Sequence, residues 1–292
     1  MYGKAEYANI NALLNEKITA KKHLIAVHRG SWHGNIIQNT IPAYKVAIRM
    51  GADMVECDLE LSTDGKLFSF HGNHELDILG TTKPITMMSS AEIKAITLHN
   101  CFTLLSDSRL NTLEEILEFL PKGVLLNIDR AWNKFPQVLE VLDQYPNALT
   151  HVLLKAPIHA SQAMEVLQQH PTKYMFMPIC YSMEDVEAAL QYQNVNIVGA
   201  EIFAATAQDE LYQDESIAAI HDKGLFCWVN ALSLGEYGRD YRPRQSLFGD
   251  LTDDVSVIQD PALGWGKLMD KKIDIIQTDW PSILCQYREQ RC

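Results

Sequence analysis

Strand-length apolar runs alternate with helical patterns along most of this chain, and that alternation restricts it to folds built on a parallel sheet. The runs fall at Leu24–Val27, Met54–Leu59, Val124–Ile128, His151–Leu154, Tyr174–Ile179, Ile197–Ala200, Leu225–Val229 and Ile273–Ile276. Helical spacing covers Ile41–Met50, Thr112–Leu120, Phe135–Tyr145, Ala160–His170, Met183–Tyr192, Glu215–Lys223 and Pro261–Lys271. Asn111-Thr112 before Leu113-Glu114-Glu115, and Ser182 before Met183-Glu184-Asp185, are good helix starts. Eight runs in 292 residues predict a closed (β/α)8 TIM barrel, read as a single catalytic domain over residues 1–292. A doubly wound open sheet is the competing arrangement.

The ends of the runs favour the barrel. They read His28, Glu56 with Asp58, Asp129, Lys155, Glu201, Asn230, and Gln277 with Asp279. Barrel enzymes place their chemistry on this C-terminal face. Glu56 and Asp58 are two apart, so on a strand both side chains share one face. Carboxylates that close repel unless a cation lies between them, and their oxygens suit a hard divalent metal. After the turn Thr63-Asp64-Gly65, the segment Leu67-Phe68-Ser69-Phe70 ends in His71. His28 and His71 are thus candidates for the proton transfers of a metal-assisted hydrolysis.

Two connections exceed plain turns. Residues 72–110 are expected to form a small insertion after strand two, over the barrel mouth. Residues 231–259 carry Gly235, Gly238, Pro243 and Gly249 and read as a functional lid or binding loop. In that loop Asp253-Asp254 reads as a solvated acidic stretch in preference to a metal- or hydroxyl-binding pair. His74 is assigned no chemistry, and Trp265 and Trp280 read as packing. Ahead of the first run, Ile10, Leu13, Leu14 and Ile18 recur at helical spacing and predict an amphipathic helix packed on the fold.

The formal charge of −12 argues against nucleic acid or an anionic membrane as partner. It allows an anionic small substrate, because a metal and Arg29 can reverse the field locally. The six cysteines form no C-x-x-C pair, and Cys57, Cys180 and Cys227 sit in apolar runs as buried thiols. Reduced cysteines and the lack of a signal-like or membrane-spanning segment point to the cytoplasm, unless a leader has been removed.

The ordered set His28-Arg29-Gly30, Asn39-Thr40, Gly51-Ala52-Asp53-x-x-Glu56-x-Asp58, Thr63-Asp64-Gly65 and His71 resembles the glycerophosphodiester phosphodiesterase family. Trp228-Val229-Asn230 and Gln277-Thr278-Asp279-Trp280-Pro281 extend the resemblance over roughly residues 24–288. It implies that Glu56 and Asp58 bind one divalent cation, Mg2+ or Ca2+, with Asp129 as third ligand. It further implies His28 and His71 as the general acid/base pair and Arg29 as the phosphate holder. The family usually has glutamate where this chain has Asp129, and lysine two residues later, where this chain has Ala131. Lys155, at the next strand end, could supply the missing cation. Glu201 and Asn230 are candidates for substrate hydroxyls and Trp228 for lining the pocket. Gln38 and the stretch Gly72–Thr82 also depart from the family pattern, which points to a changed leaving-group pocket.

The expected reaction is hydrolysis of a small glycerophosphodiester to glycerol 3-phosphate and an alcohol. Two alternatives stay open: a phosphodiesterase or cyclising lyase for lysophospholipids or sugar phosphodiesters, and a non-catalytic sugar-phosphate-binding barrel. An acidic chain without a membrane-binding amphipathic surface favours a water-soluble diester. The sequence does not indicate an oligomeric state.

Overall fold

The computed structural model describes residues 1–203, 206–232 and 251–291. Its strands in chain order are β1 (Leu24–Val27), β2 (Met54–Leu61), β3 (Leu67–Ser69), β4 (Leu125–Asp129) and β5 (Val152–Pro157). There follow β6 (Met175–Cys180), β7 (Asn196–Ile197), β8 (Gly199–Ile202), β9 (Phe226–Asn230) and β10 (Ile275–Thr278). β1 pairs in parallel with both β2 and β10, and the ring runs on through β4, β5, β6, β8 and β9. Eight parallel strands therefore close a barrel, as the alternation predicts. β3 folds back antiparallel on the end of β2.

The sixth run differs from expectation because it is split. Asn196–Ile197 pairs with the start of β6, whereas Gly199–Ile202 pairs with its end and with β9. The break falls at Val198; at Gly199, which opens the second piece, a Cβ would lie 2.3 Å from the Phe226 ring, which takes that space. Several strands also run one to three residues beyond their apolar runs, so Lys155, Glu201, Asn230 and Gln277 lie inside them. The predicted caps hold, with Thr112 and Glu115 forming a reciprocal box and the Ser182 hydroxyl accepting from the Asp185 N–H.

Period-two side-chain alternation sorts the strand residues into two cores. Outward positions such as Ile25, Val27, Val55, Cys57, Leu126 and Ile128 pack beneath the helices. Inward positions Leu24, Ala26, Met54, Leu125, Leu153, Met175, Phe226 and Ile275 fill the barrel floor. The N-terminal helix Ala12–Lys21 closes that floor from below with Leu14 and Ile18, on the face its spacing predicts. Farther along the same inward rows come Glu56, Asp58, Asn127, Asp129, Lys155, Glu201 and Asn230, all but Asp129 buried. The interior thus grades from an apolar floor to a charged mouth.

Phe68 of β3 and residues beyond that strand build a third apolar cluster, in which Phe70, Ile78, Ile93, Leu98 and Leu110 meet it. Cys57, Cys180 and Cys227 are fully buried, in keeping with their apolar runs. Trp265 is buried as expected, whereas Trp280 is 48% exposed and does not serve as core. The Gly- and Pro-bearing centre of the long loop predicted at 231–259 lies outside the described residues. Among the described residues no helix is long and apolar enough to cross a membrane.

Leu14 is completely buried at the floor. Leu14→Ala should cost about 2–5 kcal/mol through lost transfer energy and the cavity it leaves. Urea denaturation of the two proteins measures this, and an unchanged midpoint would show that the helix does not plug the barrel.

Candidate active site

Three turns at the mouth put the charged residues in place. After β1 the chain turns sharply at Arg29 and Gly30, both in the left-handed region, with φ of 55° and 73°. A Cβ on Gly30 would lie 2.7 Å from the Ala43 backbone, so only glycine fits beneath the following helix. The turn aims the Arg29 N–H at Glu56 Oε2 (2.8 Å) and its Nε at Asp58 Oδ2 (3.0 Å). Asn39, also left-handed (φ 56°), precedes the helix Ile41–Arg49. Its amide donates to Asp58 Oδ2 (2.9 Å), while its Oδ1 accepts from the Asp58 N–H (3.1 Å). Asn is among the few non-glycine residues that tolerate this backbone, and its side chain here fixes the Asp58 carboxylate. At the end of β4, Asp129 accepts from the Arg130 N–H (2.6 Å).

Glu56, Asp58 and Asp129 thereby converge, with one oxygen from each within 4.8 Å of the others. β2 and β4 pair in register Asp58 to Asp129, which explains why these side chains meet. Burial, reinforced by the charges of Asp58 and Asp129, pushes the Glu56 carboxyl well above the usual range. Burial also works against the charge on Asp58, but Arg29, His71 and His28 outweigh it and hold Asp58 below its ordinary value. Glu56 Oε1 is buried without a hydrogen-bond partner. An orphaned carboxylate oxygen facing two further carboxylates fits a hard divalent cation. A second cluster, His221, Cys227 and Asp274, lies at the opposite end of the barrel. There Asp274 is already satisfied by the Tyr2 hydroxyl (2.6 Å), the Cys227 N–H (2.8 Å) and His221 (2.8 Å), so that cluster reads as structural.

Beneath the carboxylates runs a chain of polar contacts. Lys155 Nζ lies 2.9 Å from Asp129 Oδ2 and 3.1 Å from Glu201 Oε2. Asn230 donates to Glu201 Oε1 (2.7 Å) and accepts from the Trp228 indole N–H (2.8 Å). The Trp228 ring is fully buried, 5.7 Å from the Lys155 ammonium. Burial works against the charge on Lys155, yet Asp129 and Glu201 hold its pKa above the usual lysine range. Lys155 is thus a permanent cation beside Asp129, although Ala131 occupies the position of the family's usual lysine.

The two histidines differ in environment. His28 Nδ1 meets Asp279 Oδ1 at 3.2 Å. Asp279 is itself held by Asp253, which accepts from the Asp279 N–H (2.9 Å), the Thr278 hydroxyl (2.9 Å) and the Trp265 indole (2.7 Å). Asp253 is 2% exposed, which corrects its reading as part of a solvated acidic stretch. His71 Nδ1 contacts the Gly72 carbonyl at 2.7 Å. Burial, aided by Arg29 and Arg130, pushes the His71 imidazole down to about 4, so it is neutral at neutral pH.

Every site residue singled out from the sequence stands at this end of the barrel except Trp228, which packs with the apolar floor cluster and does not line an open pocket. Asn39, Asp279, Gln38 and His74 join them without having been assigned a role. The Arg29 guanidinium donates to Gln38 Oε1 (2.8 Å), and its Nη1 lies 3.4 Å from His74 Nε2. His74 offered no usable signal, because only the packing of the segment after β3 brings it to Arg29.

A parallel eight-stranded barrel with convergent carboxylates, histidines and an arginine at its C-terminal mouth is built as barrel enzymes are. The sequence profile described as the glycerophosphoryl diester phosphodiesterase family matches residues 28–229, and that of a domain of unknown function matches residues 176–288. The chain belongs to the glycerophosphoryl diester phosphodiesterase family. It is 34% identical over 113 residues to a glycerophosphodiester phosphodiesterase of Caldanaerobacter subterraneus subsp. tengcongensis, covering 37% of this chain and 45% of that relative. A glycerophosphoryl diester phosphodiesterase structure from Parabacteroides distasonis superposes with a TM-score of 0.71 at 15% identity, over 92% of this chain and 86% of that one. A phosphodiesterase from Oleispira antarctica, solved with the product sn-glycerol-3-phosphate, superposes with a TM-score of 0.63 at 18% identity, over 91% and 96%.

Two outcomes follow from the electrostatics. A cation must displace the proton that burial favours on Glu56, so Mg2+ or Ca2+ affinity should rise with pH and vanish in Glu56→Gln. Calorimetric titration checks this, and pH-independent binding would contradict it. His71 ordinarily titrates near 6.5 but near 4 in the fold, so the unfolded chain takes up its proton first. Its contribution to stability is present above that upper value and is lost as pH falls toward the lower one. In cation-free protein, His71→Ala should flatten the decline of urea stability over this interval; an unaltered decline would rule out the buried neutral imidazole.

Proposed function

We propose that this chain is a metal-dependent phosphodiesterase that cleaves glycerophosphodiesters to glycerol 3-phosphate and an alcohol. The observation that carries this reading is the unpartnered Glu56 oxygen, set among Asp58 and Asp129 and below Arg29 and two histidines. The product bound by the Oleispira antarctica relative supports the glycerol phosphate part of it. Glu56, Asp58 and Asp129 hold one divalent cation, Mg2+ or Ca2+, which supplies Lewis-acid neutralisation of the phosphoryl charge when bound.

This chain's own residues do the rest. Arg29, already oriented by Glu56, Asp58 and Gln38, presents its guanidinium to the diester phosphate. Lys155 braces Asp129 and adds positive charge from below. Asn230 and Glu201 are assigned to the glycerol hydroxyls, and Trp228 supports Asn230 from the barrel interior. His71, neutral at working pH, takes the proton from the attacking water, whose oxygen bonds to phosphorus as the bond to the alcohol oxygen breaks. His28 delivers a proton to the departing alkoxide, its ring held through Nδ1 by Asp279.

A comparison of leaving groups tests this division. A p-nitrophenolate leaves without protonation, whereas an alkoxide does not. His28→Ala should therefore lose about 10²–10⁴-fold in kcat on an alkyl diester and far less on a p-nitrophenyl diester. His71→Ala should lose comparable factors on both. The opposite pattern would exchange the two roles. Turnover at the wild-type rate in Glu56→Gln would remove the metal-dependent reading altogether.

A further inference from the structure

The expectation of a small, water-soluble alcohol meets a feature that the sequence did not announce. A cavity of about 300 Å³ opens beside Arg29, its walls including Trp32, Ile36, Gln38, His74, Ile78 and Asn100. Gln38 and His74 both contact the Arg29 guanidinium, so the cavity adjoins the phosphate end of the site through these two wall residues. On its outer side lies a loop whose Cys101 and Thr103 line the cavity. In the same loop Phe102, Leu104 and Leu105 are 65%, 63% and 68% exposed.

This loop is built to hold that exposure. Asn100, buried, accepts from the Phe102 and Leu104 N–H groups (2.9 and 3.0 Å) and donates to Asn35 Oδ1 (2.7 Å). The Asn100 N–H donates to the Leu104 carbonyl (2.8 Å), and the Ser106 N–H to the Leu98 carbonyl (2.9 Å). Thr103 takes a left-handed backbone, φ 60°, at the turn between them. Large apolar side chains on a fixed loop beside a cavity mark a binding surface. A protein partner fits poorly: a stable interface needs about 800 Å² and 20–30 residues per side, far more than three side chains supply.

We propose that Phe102, Leu104 and Leu105 form an apolar lip on the leaving-group side of the cavity, and that the preferred alcohol carries a hydrocarbon chain. The proposal rests on the phosphodiesterase reading above and specifies the alcohol. Arg29 fixes the phosphate at one end, Trp32, Ile36 and Ile78 receive the first carbons, and the lip covers the chain as it leaves the cavity.

The test is a series of glycerophosphoryl n-alkanols from ethanol to octanol, below their micelle concentrations, with glycerophosphocholine alongside. In the wild type, kcat/KM should rise roughly twofold per methylene, short of the about fourfold of complete burial. In Phe102→Ser/Leu104→Ser/Leu105→Ser the gain over the first carbons, which the cavity wall receives, should persist while the further gain toward octanol vanishes, with glycerophosphoryl ethanol turned over at the wild-type rate and the unfolding midpoint unchanged. A flat wild-type series, or a preference for choline over longer alkyl groups, overturns the lip and leaves the phosphodiesterase reading standing. Failure to cleave any member sinks that reading instead. The lip is then decided by calorimetry with n-decyl phosphate and ethyl phosphate: equal affinities overturn it, and tighter decyl binding that the triple variant loses upholds it.

Discussion

Three carboxylates at the mouth of a barrel, with oxygens no more than 4.8 Å apart, set the terms for everything around them. Like charges that close, away from water, cannot all persist without a cation or a proton. The protein has answered only part of that charge. Asp58 has Arg29 and Asn39, and Asp129 has Lys155 and the Arg130 N–H, but one oxygen of Glu56 has no partner. A cluster meant only for stability would be saturated, as Asp274 is at the other end of the barrel. The mouth is left with a carboxylate oxygen unanswered, at a place that suits a divalent ion.

The remainder of the fold keeps that deficit in place. The apolar floor, sealed by Leu14 and Ile18, fixes the strand register from below. Because side chains alternate, this register puts Glu56 and Asp58 on one row and Asp129 on the next. The left-handed turns at Arg29 and Asn39 supply donors to those rows from outside the sheet. On the far side, Asp253 grips Thr278 and Asp279, and Asp279 grips His28. A residue remote from the carboxylates thus sets the orientation of a histidine beside them.

Much of this was legible in the chain itself. Alternating runs and helical spacings are short-range signals, and they predict the barrel, the strand-end acids and the buried thiols. Period two alone puts Glu56 and Asp58 together. What stayed hidden depends on contacts between distant segments. The split of the sixth strand at Val198 goes with pairings to two distant neighbours, the start of β6 for one piece and the end of β6 and β9 for the other. The burial of Asp253 follows from its docking on β10, and the place of His74 from packing after β3. The exposed Phe102, Leu104 and Leu105 look in sequence like ordinary core residues, and only the Asn100-braced loop shows them turned to solvent.

The central claim is that Glu56, Asp58 and Asp129 together hold one divalent ion. Crystals grown with Mn2+, measured at a wavelength where manganese scatters anomalously, test it without recourse to turnover. The account predicts a single strong anomalous peak in contact with Glu56 Oε1 and with carboxylate oxygens of Asp58 and Asp129. A peak at His221, Cys227 and Asp274 instead, or none at the mouth in protein saturated with manganese, would contradict it.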